Sequence, residues 1–223
     1  MKSEGGILLI NKPRDWTSYD VIRFLKGKFG FKKIGHAGTL DPAATGLLIV
    51  LIGSATKSFD KIQQLPKTYL ATIKFGITTD TYDLDGIVTS QTKIPFQINK
   101  KQLEQVVKKY TGVIRQTPPR YSAIKIKGVR AYQLARKNKN FKMKPRTATI
   151  YKATIKKFSK NIVQIEWMVS SGTYIRSLAH DIGKALVVGG VLSALKRTAI
   201  GPYKISAAKK PSLIKSVALK APQ

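Results

Sequence analysis

The chain has 223 residues, 43% of them hydrophobic, which suits one substantial domain or one domain with a small appendage. It contains no cysteine, which excludes disulfides, zinc fingers and thiol catalysis, and no apolar run near the length that spans a bilayer. Lys and Arg number 41 against 11 Asp and Glu, a formal charge of +30 with an isoelectric point near 10.4, and that balance favours a polyanionic partner, most often nucleic acid.

The N-terminal residues, with one Lys, one Glu and a short apolar run over 7–10, make no secretory signal, so the expected compartment is the cytoplasm. Residues 6–10 read as a strand. Thr17 or Ser18 caps a helix in which Val21, Ile22, Leu25 and Phe29 fall at helical spacing. The string Gly35-His36-Ala37-Gly38-Thr39-Leu40-Asp41-Pro42-Ala43-Ala44-Thr45-Gly46 follows, and Leu47 opens a buried strand over 47–52. A short helix is expected over 55–64, a strand over 68–75 and a polar turn region over 78–86. Asn99 caps a helix carrying Leu103, Val106, Val107 and Tyr110. Residues 121–126 and 148–158 read as strands, joined by a very basic connection over 127–146 with one helical turn near 132–136. Residues 162–169 alternate as a strand, 174–186 read as a helix and 190–203 as further sheet. The lysine-rich segment 206–223 reads as one terminal helix or a frayed end. Helices and strands mix without regular β-α-β alternation, so the class is α+β.

The charge is uneven. Residues 105–165 contain no carboxylate but 17 Lys or Arg, with Tyr110, Tyr121, Tyr132, Phe141, Tyr151 and Phe158 interleaved. Cations beside stacking rings make a surface that tracks a phosphate backbone.

Three strings carry candidate chemistry. In the first, glycines and Pro42 constrain the chain around Asp41. Read alone, this is a well-capped surface turn or a carboxylate aimed by a rigid loop into a buried site. A buried Asp41 stays ionised only beside a cation. The second string, Ser171-Gly172-Thr173-Tyr174-Ile175-Arg176, offers one: a turn and cap at Gly172-Thr173, then Arg176 in the first turn of a helix with Tyr174 close by. The third, Lys67-Thr68-Tyr69, offers a ring for stacking and a hydroxyl for proton transfer, or else a core strand tyrosine. The segment 78–86 partly matches a calcium loop, but Thr81 stands at the first ligand position and Thr92 at the closing one, so a hydrogen-bonded turn is the better reading. His36 and His180, the two histidines, make no zinc site without cysteines or a carboxylate pair. The segment 53–58 lacks the glycine before Lys57 that a phosphate loop needs.

These strings, with Gly5-Gly6-Ile7-Leu8-Leu9-Ile10-Asn11-Lys12-Pro13, Thr79-Asp80-Thr81-Tyr82-Asp83-Leu84-Asp85-Gly86 and Leu195-Lys196-Arg197-Thr198-Ala199-Ile200-Gly201-Pro202-Tyr203, resemble in order the tRNA pseudouridine synthase B (TruB) family. The resemblance covers about residues 5–205. Tyr121-Ser122-Ala123-Ile124-Lys125 and the basic insertion up to Arg146 look like the bacterial branch. The resemblance implies a pseudouridine synthase catalytic fold, with a mixed, mostly antiparallel sheet, flanking helices and a central RNA-binding cleft. It implies an isomerase that turns the T-loop uridine of tRNA into pseudouridine after flipping it out, with no metal and no organic cofactor.

In the roles the resemblance implies, Asp41, Tyr69 and Arg176 are catalytic, and Arg176 pairs with Asp41. His36, Gly38, Thr39, Leu40, Asp83, Tyr174 and Leu195 bind the substrate, and Lys125, Arg130 and Arg146 belong to the insertion, about 120–147, that clamps the T-arm. The expected layout is a catalytic domain over 1–205 and a short basic tail over 206–223, too short for the C-terminal PUA-type domain of most bacterial relatives. A monomer is the default. Ala43 departs from the bulkier apolar residue common in the family. The competing readings are a non-catalytic tRNA-folding chaperone using the same basic face and an enzyme with another uridine target.

Overall fold

The computed structural model describes residues 5–92 and 96–216. The strand β1 (Gly6–Lys12) leads to the helix α1 (Ser18–Phe29). Thr17 caps α1 reciprocally, its hydroxyl accepting from the Asp20 amide at 3.0 Å while the Asp20 carboxylate accepts from the Thr17 amide at 2.9 Å. Then come β2 (Ile34–Ala37), β3 (Thr45–Ile52), a 3-10 turn (Gly53–Ser58) running into α2 (Phe59–Gln64), β4 (Lys67–Phe75), β5 (Ile77–Thr79) and β6 (Val88–Gln91). The chain continues through α3 (Lys100–Lys109), capped by Asn99, β7 (Gly112–Gln116), β8 (Lys125–Ile126), β9 (Val129–Arg130) and α4 (Ala131–Arg136). It closes with β10 (Arg146–Ser159), β11 (Ile162–Val169), α5 (Ile175–Ala185), β12 (Gly190–Ile200) and β13 (Tyr203–Lys204). The class is α+β: a mixed sheet with five α-helices among the described residues.

The chain forms two compact units, Met1–Leu70 with Ala194–Gln223, and Ala71–Ser193, and the divisions fall inside β4 and β12. In the first unit β1 pairs antiparallel with β3 along its whole length, from Gly6↔Ile52 to Lys12↔Gly46. The other edge of β3 is shared. β2 takes residues 49–52, and β12 runs parallel at Lys196↔Thr45 and Arg197↔Gly46. Loop 38–44 turns in the space between. β3 is apolar from Leu47 to Ile52 because both its faces are covered. Leu47, Ile49 and Leu51 pack with Ile7, Ile62, Ile200 and Tyr203, while Leu48, Val50 and Ile52 pack with Ile10, Val21, Leu25 and Ile214. Residues 206–214, expected as a helix or a frayed end, run along β1 instead. Lys209 bridges Ile10, and Pro211 and Ile214 are buried. Residues 217–223 of that expected tail lie outside the described residues.

In the second unit β11 lies between β4 and β10, and β7 forms the edge. Val163, Ile165, Trp167 and Val169 alternate inward along β11. α5 closes on the start of β12 at a glycine, since a Cβ on Gly183 would come within 2.2 Å of the Gly190 amide. Residues 121–124 are not the expected strand. The carbonyls of Ser122 and Ile124 accept from the Tyr132 and Ala131 amides at the start of α4, so they have no ladder partner. β7 escapes the periodicity because most of its residues are exposed, with Val113 at 75%.

Candidate active site

In the first unit the site is a loop made rigid through its backbone. Asp41 and Ala44 close a turn by an amide-to-carbonyl bond of 3.0 Å, with Pro42 at its second position. The Ser18 hydroxyl receives the Leu40 amide at 2.9 Å and donates to the Leu40 carbonyl at 3.3 Å. The Pro42 carbonyl accepts from the Asp15 amide at 2.9 Å and from Lys12 Nζ at 3.1 Å. Lys12 is fully buried and also donates to the carbonyls of Pro13 and Trp16, at 2.8 and 2.5 Å. Burial pulls its pKa down to about 8, against the opposing charges of Asp15 and Asp41. Arg197, on β12, is 1% exposed and donates to the carbonyls of Gly38, Leu47 and Thr39 at 2.6, 2.8 and 3.5 Å.

These anchors all take backbone oxygens, and the consequence corrects the sequence reading: Asp41 is exposed, not buried. The loop turns its polar main chain inward and its carboxylate outward. Leu40 and Gly38 are buried, and Thr39 is exposed. Tyr69, half-buried on β4, lies with its ring centroid 6.0 Å from the Arg197 guanidinium. His36 faces its Nδ1 inward without a hydrogen-bond partner among the described residues, and burial, helped by the charge of Arg197, lowers its pKa, so its ring is neutral at pH 7. Leu195 is half-buried on β12, and its carbonyl accepts from Thr45 Oγ1 at 3.4 Å. Lys67 is buried as well, bonded to the Gln63 carbonyl, with its pKa drawn to about 8 by burial and then by Arg197.

In the second unit Arg176 does occupy the first turn of α5, but the expected cap at Gly172-Thr173 is replaced. The N-cap is Tyr174, which makes no side-chain cap bond, and the buried Gln116 side chain on β7 holds its backbone. The Tyr174 amide donates to Gln116 Oε1 at 2.8 Å, and Gln116 Nε2 donates to the Tyr174 carbonyl at 3.0 Å. Arg176 donates to the carbonyls of Thr81 and Tyr121 at 3.1 and 3.0 Å and pairs with Asp83 at 3.6 Å. The Thr81 hydroxyl and the Asp85 amide donate to Asp83 Oδ1 at 2.5 and 3.1 Å. Burial nevertheless raises the Asp83 pKa, outweighing those hydrogen bonds and Arg176. The turn is hydrogen-bonded, as the sequence suggests, and its carboxylate faces an arginine. Beside it the Tyr82 ring stacks on His180 at 4.0 Å.

The insertion is a small basic hairpin. Lys125 pairs with Arg130 across a turn at Lys127 and Gly128, both with positive φ. Lys125, Arg130 and Arg146 are exposed, and Lys125 and Arg146 line a hollow of about 350 Å³ together with Ile124, Ile126 and Met143. The sequence reading missed Arg197 and Gln116. Arg197 lies inside a quoted string, and only a count of what a buried guanidinium must bond could have singled it out.

Residues 26–175 match the model of the TruB family pseudouridylate synthase N-terminal domain, and residues 176–220 that of the tRNA pseudouridylate synthase B C-terminal domain. The chain belongs to the TruB family of pseudouridylate synthases. Membership makes it an isomerase. It is 44% identical over 200 residues to tRNA pseudouridine synthase B of Fusobacterium nucleatum, covering 90% of this chain and 69% of that one. The Aquifex aeolicus relative of the same name is 44% identical over 91% of this chain and 71% of its own. The Parabacteroides distasonis relative is 41% identical over 94% of this chain and 92% of its own. Among solved structures, a chain of a Cbf5-Nop10-Gar1 complex superposes with a TM-score of 0.70 at 30% identity. A chain of an H/ACA RNP bound to a substrate RNA gives 0.67 at 28%. The chain covers 89% of its own length in both and spans about half of each solved chain. The C-terminal model takes in Arg176, Leu195, Arg197 and the segment packed along β1.

Proposed function

We propose that this chain isomerises the T-loop uridine of tRNA to pseudouridine, with Asp41 as the catalytic carboxylate. The observation that carries the reading is an exposed Asp41 on a turn whose main chain is immobilised by buried cations. In the reaction the C1′–N1 bond breaks, C1′ is rejoined to C5, and the C5 proton is exchanged for one on N1, so nothing is consumed. Asp41 attacks the ribose or assists cleavage by another route. Tyr69 stacks on the flipped uracil and serves the C5 proton, and Arg176 is the third catalytic residue, in the role the family resemblance implies. A neutral His36 suits contact with the opened T-loop. Gly38, Thr39, Leu40, Asp83, Tyr174 and Leu195 shape the substrate site, and the Lys125, Arg130 and Arg146 face tracks the T-arm phosphates. The reading places the protein in the cytoplasm, working as a monomer on tRNA without metal. Among the described residues no helix is long and apolar enough to cross a membrane.

The test is pseudouridine formation in an unmodified tRNA transcript. Wild type modifies the T-loop uridine, and Asp41→Asn loses turnover by about three orders of magnitude or more while tRNA affinity stays within a few-fold. Turnover retained by the Asn variant, or tight binding without modification by wild type, overturns the reading.

A further inference from the structure

Arg197 is among the largest fully buried side chains of the molecule, and each hydrogen bond it donates ends on a backbone carbonyl. Those carbonyls belong to Gly38, Thr39 and Leu47, so one guanidinium grips both ends of the segment that carries Asp41. The main chain of Arg197 closes on the same segment. It pairs with Gly46, and a Cβ at Gly46 would sit 2.3 Å from the Arg197 carbonyl oxygen. Gly46 has a φ of 106°, which a side chain would strain as well.

Burying a guanidinium is costly unless its donors are used, and the neighbouring strands are held by ordinary ladders without any charge. What the guanidinium adds is geometry. Its rigid planar fork reaches acceptors on both sides of the loop in fixed directions, whereas a lysine ammonium is one point charge on a flexible stem. It also lies against the ring of Tyr69, 6.0 Å from the centroid.

We propose that Arg197 is a positioning residue of the reaction, fixing the backbone of residues 38–47 and thereby the direction of the Asp41 carboxylate relative to the Tyr69 ring. The inference rests on Asp41 and Tyr69 acting as proposed above. A misplacement of about 1 Å costs on the order of a hundredfold in rate, and that is the expected fall in kcat for Arg197→Lys, with KM and tRNA affinity within threefold of wild type.

Amide exchange supplies a readout independent of turnover. In Arg197→Lys the Leu40 and Ala44 amides, bonded to Ser18 and Asp41, exchange at least about tenfold faster, while the β1–β3 ladder keeps its protection. Gly38→Ala attacks the same contact from the other side, since its Cβ would press on Arg197 Nη1 at 3.3 Å from a φ of 77°. It carries the test alone if Arg197→Lys does not fold, and the double variant falls no further than the worse single one. Arg197→Lys turnover within threefold of wild type overturns the proposal, as does a loss of β1–β3 protection equal to that of the loop. If wild type makes no pseudouridine, the reaction reading fails, and selective release of Leu40 and Ala44 still upholds the anchoring of the loop.

Discussion

Among the described residues each unit buries one arginine, and the two are satisfied differently. In the first, the hydrogen bonds of Arg197 go to carbonyls, and its other neighbour is the ring of Tyr69. In the second, Arg176 meets two carbonyls and the carboxylate of Asp83. A guanidinium bonded to main chain alone fixes the path of the chain. One that also faces a carboxylate couples shape to charge, because neither partner can be removed without stranding the other.

The largest effect is expected where charge is stranded. Arg176→Leu leaves Asp83 without its cation and costs about 3–5 kcal/mol of stability by denaturant titration. Adding Asp83→Leu recovers a good part of that loss. The same second change recovers nothing after Arg197→Leu, whose cost comes from orphaned carbonyls and strands no charge. Equal recovery in both backgrounds would erase the distinction.

Next in size is a pH effect in the first unit. Lys12 titrates near 8 in the folded protein against 10.5 in the unfolded chain. Between those values the unfolded state holds more protons, so stability rises with pH. The penalty of burying the ammonium is in full force below pH 8 and is relieved by about pH 10.5. The difference in urea midpoint between wild type and Lys12→Met therefore grows in favour of wild type from pH 8 to 10, and a flat difference would show that Lys12 keeps its proton throughout.

Weaker still are the exposed cations, which bear on affinity rather than fold. Lys125→Ala, Arg130→Ala or Arg146→Ala each lowers the slope of log affinity for tRNA against log salt by about 0.8 and leaves turnover at saturating tRNA unchanged. The smallest change tests local structure: Thr17→Ala removes one half of the reciprocal cap of α1 and costs about 1 kcal/mol.

The sequence exposes features whose signal is local. The cap at Thr17, the apolar run of β3 and the glycine-framed turn of Asp41 each follow from adjacent residues, and the structure has them. The exposure of Asp41 could not be read that way. A carboxylate between glycines and a proline gives no sign of which way it faces, and that depends on Lys12 and Arg197 claiming the carbonyls instead. Residues 121–126 alternate well enough for a strand, but Arg176 takes the Tyr121 carbonyl and α4 takes the next ones. The expected cap of α5 is absent for a similar reason: the N-cap is Tyr174, whose backbone is held by Gln116, far away in sequence. Segment 206–214 shows neither helical nor strand periodicity, and it docks through the buried Pro211 and Ile214 and the bridge from Lys209 to Ile10.

Gly46 shows how far such packing reaches into any reading of tolerance to change. It offers no side chain to substrate or solvent, yet even alanine is barred there by the main chain of Arg197 and by its own φ. In a saturation library screened for activity, position 46 would score with the reacting groups. Its intolerance would report the room available between two strands and nothing about chemistry.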